Sequence, residues 1–173
     1  TFGRLEARVG HLRTALRHFA VGRHMIAEDP NELIASSIDL DESSVLSLLG
    51  DVPGALEMAQ RAAESARASG WAKGKRVAAM NIAQFLISLG RLPEVESYIQ
   101  LAKDQSFQSV TYDHGLADTE AQLAYCRGQY DRAEEILTLA DQLNDSVPQW
   151  HRLTNYVTRV RLLIRLRRFD EAV

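Results

Sequence analysis

One short pattern recurs five times along this chain, and its spacing limits the fold more than any other feature. The pattern is a glycine, a polar residue, a large apolar residue, two variable residues and an alanine. Its last position falls at residues 15, 55, 95, 133 and 172, so successive copies lie 40, 40, 38 and 39 residues apart. Two copies depart from it, with Val95 in place of alanine and Arg167 in place of glycine. A repeat of this length predicts supersecondary units that stack on one another.

The repeated pattern has the chemistry of a corner between two helices. Glycine suits the left-handed conformation that ends a helix, because a Cβ atom would clash there. Pro53 and Pro93 each follow a corner glycine by three residues, in the first turn of the next helix, where proline loses no hydrogen bond. We therefore predict that Gly50, Gly90 and Gly128 have positive φ angles or pack too tightly for a side chain.

The segments on both sides of each corner have helical periodicity. Apolar residues recur at intervals of three and four, and no segment has the alternation expected of a strand. The pattern predicts ten helices, at about 1–9, 12–27, 31–49, 52–69, 74–89, 92–105, 113–127, 130–144, 150–166 and from 169 onward. Aromatic residues follow the corners at a near-constant offset and are predicted to be structural wedges between hairpins: Trp71, Tyr112 and Trp150.

The corner and two sets of small residues together resemble the tetratricopeptide repeat. One set lies midway along the first helix of each hairpin, at Ser43, Ala83, Ala121 and Val160. The other lies late in the second helix, at Ala62, Ala102 and Ala140. The resemblance covers the whole chain and implies an all-α, right-handed superhelical array of antiparallel helix-turn-helix units.

Two features depart from the tetratricopeptide pattern. The period is 38–40 residues, whereas the family usually repeats every ~34. The bulky aromatic residue and leucine expected early in the first helix are replaced by Asp39 and Glu42, Ala117 and Glu120, and Tyr156 and Arg159.

We expect one array over residues 1–173, divided at joints rich in helix-breaking residues. The expected repeats are a partial one at 1–29, full ones at 30–70, 71–111 and 112–148, and a partial one at 149–173. The partial repeats predict a segment of a longer array. They also predict end-to-end self-association through the truncated terminal helices, or fraying at both ends. Apolar residues expected to lack cover are Phe2, Leu5, Leu162, Leu163 and Leu166.

Composition argues against several classes of function. The net charge of −3 gives no general reason to bind nucleic acid. No apolar run is long enough to cross a bilayer, and the single cysteine excludes an internal disulfide. We therefore expect a cytoplasmic protein.

The charge is distributed unevenly along the chain. Residues 28–70 are strongly acidic, whereas residues 1–27 and 149–173 are rich in arginine. Arg161, Arg165 and Arg168 share one helical face. They could contact nucleic-acid phosphates, lie in solvent, dock onto a further hairpin, or pair with an acidic partner surface.

Residues with catalytic or metal-binding chemistry are scattered. His114 and Asp118 are four residues apart and could touch one metal, but no third ligand accompanies them, so we interpret them as a solvated or helix-capping pair. Cys126 has no neighbouring base and is interpreted as an inert thiol. The sequence contains no glycine-rich phosphate loop. We predict no enzymatic activity, no cofactor and no metal.

The resemblance implies a groove lined by the first helices of successive hairpins. Amide side chains there could hold the backbone of a bound peptide, since they both donate and accept hydrogen bonds. Alternatively, the groove residues are hydrated or contact neighbouring helices. The candidate partner-binding residues are Asp41, Ser44, Asn81, Gln84, Asp118, Gln122, Thr158, Arg161 and Arg165.

Two functions fit this groove. The first is a non-enzymatic module that binds a protein or peptide partner, whose identity the sequence does not specify. The alternative follows from the resemblance of such long repeats to those of large bacterial transcription activators and signalling ATPases: it is the sensor or regulatory arm of a bacterial transcriptional regulator or signalling ATPase.

Overall fold

The computed structural model of the chain describes residues 1–107, 109–142, 147 and 149–171, without the side chains of Trp150 and His151. These residues form helices and turns and contain no strand, which confirms the all-α class. Each helix begins within three residues of its predicted start. The helices are α1 (Phe2–Arg8), α2 (Leu12–Glu28), α3 (Glu32–Leu48), α4 (Val52–Ala68), α5 (Ala72–Ser88), α6 (Leu92–Lys103), α7 (Val110–Cys126), α8 (Tyr130–Asp141) and α9 (Gln149–Arg165), with a 3-10 turn at Phe169–Glu171. The predicted end of α8 at 144, the Trp150 wedge and the last repeat position at 172 lie outside the described residues.

Each corner contains a residue in the left-handed conformation. The φ angles of Gly50, Gly90 and Gly128 are +85°, +72° and +76°, which confirms the prediction for these residues. The next residue closes the turn, as where the Arg91 amide donates to the Leu86 carbonyl at 2.9 Å. Arg167, which replaces glycine in the fifth copy, has a φ of +60°. The corner geometry is therefore maintained even without glycine.

Substituting valine for Gly90 is expected to lower the free energy of unfolding by about 1–3 kcal/mol. A Cβ atom at Gly90 would meet nothing within 4 Å, so the cost comes from the backbone conformation. Gly90→Asn is the control, because asparagine tolerates positive φ better than a β-branched residue. Urea denaturation would measure the free energy of unfolding of both variants. Equal stability of Gly90→Val and the wild type would contradict this account of the corner.

The chain divides into two compact units, Thr1–Phe107 and Gln108–Val173. In the first unit consecutive helices pack against each other, and α3 also contacts α1 and α5. These three are the first helices of successive hairpins. The face of α4 against its neighbours is formed by fully buried alanines, which permit close approach of the helices: Ala55, Ala59, Ala62 and Ala66.

Trp71 connects the second and third hairpins. It immediately precedes α5 and packs against a cluster that includes Leu40, Ala62 and Ala78. Its ring covers Gly74, where a Cβ atom would lie 2.1 Å from Cε3 of the indole. The structural-wedge interpretation is therefore confirmed for Trp71.

In the second unit α7 and α8 form a hairpin, and α9 contacts both helices. The core contains Ala121, Ala133, Leu137 and Leu162, each fully buried. The expectation that Leu162 and Leu163 lack cover is wrong, because they are 0% and 4% exposed. Leu162 lies in the core with residues of α7 and α8, and Leu166 also packs against that core. At the other end of the chain Phe2 and Leu5 are 77% and 59% exposed, as expected.

Among the described residues, no helix combines the length and the apolar character that crossing a membrane would require.

Candidate interaction surface

Four of the predicted groove residues lie in the first unit, on α3 and α5. Asn81 is half-buried, and its Nδ2 donates to Ser43 Oγ on α3 at 3.4 Å. Ser44 is exposed and its hydroxyl donates to the Leu40 carbonyl at 3.1 Å. Gln84 is half-buried one turn after Asn81. The polar groups of these side chains therefore lie at a surface formed by α3 and α5, the first helices of two successive hairpins.

Asp41, the acidic member of the predicted groove, is paired within the chain. Its carboxylate lies 2.8 Å from Nη2 of Arg4 on α1, and Arg4 Nε donates to it at 3.0 Å. Thr1 Oγ1 also donates to Asp41, at 3.4 Å. The basic N-terminal segment therefore neutralises part of the acidic segment that follows it.

A second ion cluster joins α2, α3 and α4. Arg23 pairs with both Asp39 and Glu42, and Arg61 Nε lies 3.6 Å from Asp39 Oδ2. Asp39 is almost fully buried. Burial raises the pKa of its carboxyl, and this effect exceeds the lowering caused by Arg23 and Arg61. Asp39 and Glu42 thus form contacts between helices.

In the second unit Asp118 and Thr158 connect α7 to α9. Thr158 Oγ1 donates to Asp118 Oδ1 at 2.6 Å, and Gln122 Nε2 donates to Oδ2 at 2.8 Å. Asp118 and Thr158 are each 3% exposed. Burial raises the pKa of Asp118, against the lowering by these two hydrogen bonds, His114 and Arg161. Their polar groups are engaged in the contact between the helices.

His114 extends this buried polar contact. It is fully buried, and its Nε2 lies 3.3 Å from Nδ2 of Asn155 on α9. The interpretation of His114 and Asp118 as a solvated or capping pair is therefore wrong, because both lie in the α7–α9 interface. Within the described part of the chain, no group of three or more His, Cys, Asp or Glu side chains could hold a metal ion.

The arginines of α9 have different surroundings. Arg165 is exposed, with its Nε donating to the Tyr130 hydroxyl at 3.0 Å and its guanidinium 6.0 Å from the centre of that ring. Arg168 pairs with Glu134 and Glu171. Arg161 is exposed and forms no ion pair with the residues that the structure describes. Only part of the predicted basic face is therefore available to a partner.

Cys126 is exposed at the end of α7. Desolvation raises the pKa of its thiol more than the nearby Arg161 lowers it. A raised pKa leaves less thiolate, the nucleophilic form.

Of the nine predicted residues, Asp118 and Thr158 are buried and the other seven retain accessible surface. The accessible ones in the first unit are Asp41, which is paired with Arg4, and Ser44, Asn81 and Gln84, and those in the second unit are Gln122, Arg161 and Arg165.

Comparison with protein-family models, with curated proteins and with solved structures finds no match.

Proposed function

We propose that this chain is a tetratricopeptide-like, non-enzymatic module that binds an extended polypeptide segment along the first helices of its hairpins. In this proposal the hairpins form a right-handed superhelix in a cytoplasmic protein, and α3 and α5 line its inner surface. The observation that carries the proposal is that α3, a first helix, contacts the first helices before and after it. Such an arrangement aligns equivalent surface positions from successive hairpins.

The polar chemistry of this surface suits a peptide backbone. Asn81 and Gln84 lie about one turn apart on α5, and each amide can both donate and accept. An extended peptide has donors and acceptors along its whole length. Because Asp41 already pairs with Arg4, amide hydrogen bonds, more than a charged carboxylate, would orient the peptide on α3 and α5.

The proposal can be tested with peptides selected from a phage-displayed random library on the intact chain. A selected peptide would be synthesised with a fluorophore, and its Kd measured by anisotropy. The double variant Asn81→Ala/Gln84→Ala is expected to raise the Kd about tenfold, since each lost hydrogen bond contributes roughly 0.5–1.5 kcal/mol. Circular dichroism would verify that this variant remains helical.

The matched control is Gln60→Ala, which removes an exposed amide from α4, a second helix. It is expected to leave the Kd unchanged. A peptide whose binding is lost in Gln60→Ala but retained in the double variant would refute the proposed surface, as would failure of the library to yield any binder.

A further inference from the structure

The solvent-facing side of α9 is apolar. Four residues form a line along it, which we call the α9 seam: Leu153, Val157, Val160 and Ile164. They are 53%, 50%, 36% and 52% exposed. The opposite side of the same helix is buried, through Asn155, Thr158 and Leu162. A helix that is packed on one side and exposes an apolar stripe on the other has a surface suited to a partner.

The spacing of the α9 seam is that of a helix-pairing surface. Its members are separated by four, three and four residues, which are the intervals of the a and d positions in a heptad. Val157 and Ile164 are seven residues apart and share one of these two heptad positions, and Leu153 and Val160 share the other. The seam is about 16 Å long at a rise of 1.5 Å per residue. Such a narrow stripe matches another helix better than it matches a lipid surface.

The repeat itself indicates what fits this face. One repeat of 39 residues earlier, the positions equivalent to Leu153, Val157 and Val160 are His114, Asp118 and Ala121 on α7. That face of α7 is covered by α9, through the bond from Thr158 to Asp118 and the packing of Leu162 with Ala121. The equivalent face of α3 is covered in the same way by α5, where Asn81 donates to Ser43. In both units the occupant of this face is a helix.

Charge beside the seam indicates the chemistry of the occupant. Arg161 and Arg165 follow Val160 and Ile164 in sequence and are exposed along one edge of the seam. Acidic side chains beside a docked apolar face would therefore be attracted to this edge. The exposed apolar residues of α1 are a poorer match, because Arg4 and Arg8 accompany Phe2 and Leu5 there. A second copy would bring arginine against arginine.

We propose that the α9 seam docks an amphipathic helix of a partner protein, with apolar residues at heptad spacing and acidic residues beside them. This surface differs from the α3–α5 peptide surface, and neither depends on the other.

Two synthetic helical peptides provide the test. Both carry the same leucines and isoleucines at the a and d positions, and they differ only in glutamate or lysine at the e and g positions. Anisotropy with the intact chain is expected to give tighter binding of the glutamate peptide. Val157→Asp should weaken that binding by about tenfold or more, because it replaces a buried apolar contact with a charge.

A control and a charge reversal sharpen the test. Leu139→Asp introduces the same charge at an apolar residue of α8 that is also about half exposed, and it should leave binding unchanged. Arg161→Glu should shift the preference toward the lysine peptide. Neither Val157→Asp nor Arg161→Glu is expected to alter binding of a library-selected peptide on α3 and α5, so the two proposals fail separately.

Several results would overturn the inference. Equal binding of the two peptides would contradict the predicted preference for an acidic helix. An equal loss of binding in Leu139→Asp and Val157→Asp would contradict the location of the binding site on α9. Binding to phosphatidylserine vesicles that Val157→Asp abolishes would assign the seam to a membrane surface. Self-association in sedimentation velocity that Val157→Asp abolishes would assign the α9 seam to a second copy of the chain, in line with the predicted end-to-end self-association.

Discussion

Replacing Leu137 with alanine is expected to lower the free energy of unfolding by about 3 kcal/mol, within the ~2–5 kcal/mol range for such truncations. Leu137 is fully buried on α8, among Ala121, Ala133 and Leu162. The alanines in this cluster have no side-chain atoms that could extend into the vacated space, so a cavity would remain. Urea denaturation followed by circular dichroism would measure the loss.

Leu139→Ala is the matched control for this prediction. Leu139 lies two residues further along the same helix and is 54% exposed. Its truncation is expected to change the free energy of unfolding by less than about 0.5 kcal/mol. If the two variants had similar stability, the assignment of the buried face of α8 would be incorrect.

Replacing Asp39 with alanine is expected to destabilise the chain by about 2 kcal/mol, since it removes the buried carboxylate that pairs with both Arg23 and Arg61. Arg23 would retain Glu42 and is 26% exposed, so the loss should be smaller than for a fully buried pair. The comparison is Asp41→Ala, which breaks the pair with Arg4, a side chain that is 53% exposed. That loss should be below about 1 kcal/mol.

Thermal or urea unfolding of these two aspartate variants would decide the role of Asp39. A larger loss in Asp41→Ala than in Asp39→Ala would mean that the cluster of α2, α3 and α4 contributes little. The opposite order is expected, because Asp39 and Arg23 are both more buried than Asp41 and Arg4.

Local features of this fold could be predicted from the sequence because their causes are local. A glycine after an apolar helical stripe specifies a left-handed turn, and the observed φ angles at Gly50, Gly90 and Gly128 agree with that. The wedge role of Trp71 was predictable for a related reason, since an aromatic residue that keeps the repeat spacing has a repeated structural position.

The polar partners could not be predicted in the same way. Asp118 and Thr158 are 40 residues apart, as are Thr1 and Asp41. Helical periodicity assigns a residue to a face but does not state which side chain of another helix meets it. Asp118 was consequently assigned to a groove, and its buried bond to Thr158 became evident only from the structure.

The apolar faces of α9 illustrate the same limit. Leu162 and Leu163 were expected to lack cover, whereas Leu153, Val157, Val160 and Ile164 are the exposed residues. Both sides of α9 carry apolar residues, so periodicity alone does not distinguish the covered side. The repeat does contain a signal, because residues one period earlier on α7 form the face that receives the next first helix.

Nuclear magnetic resonance of the labelled chain, titrated with a library-selected peptide, tests the proposed peptide-binding surface most directly. We predict that the largest amide shift changes fall on the exposed faces of α3 and α5, around Ser44, Asn81 and Gln84. Changes confined to the second helices α4 and α6, with α3 and α5 unaffected, would contradict the proposal that a partner lies along the first helices.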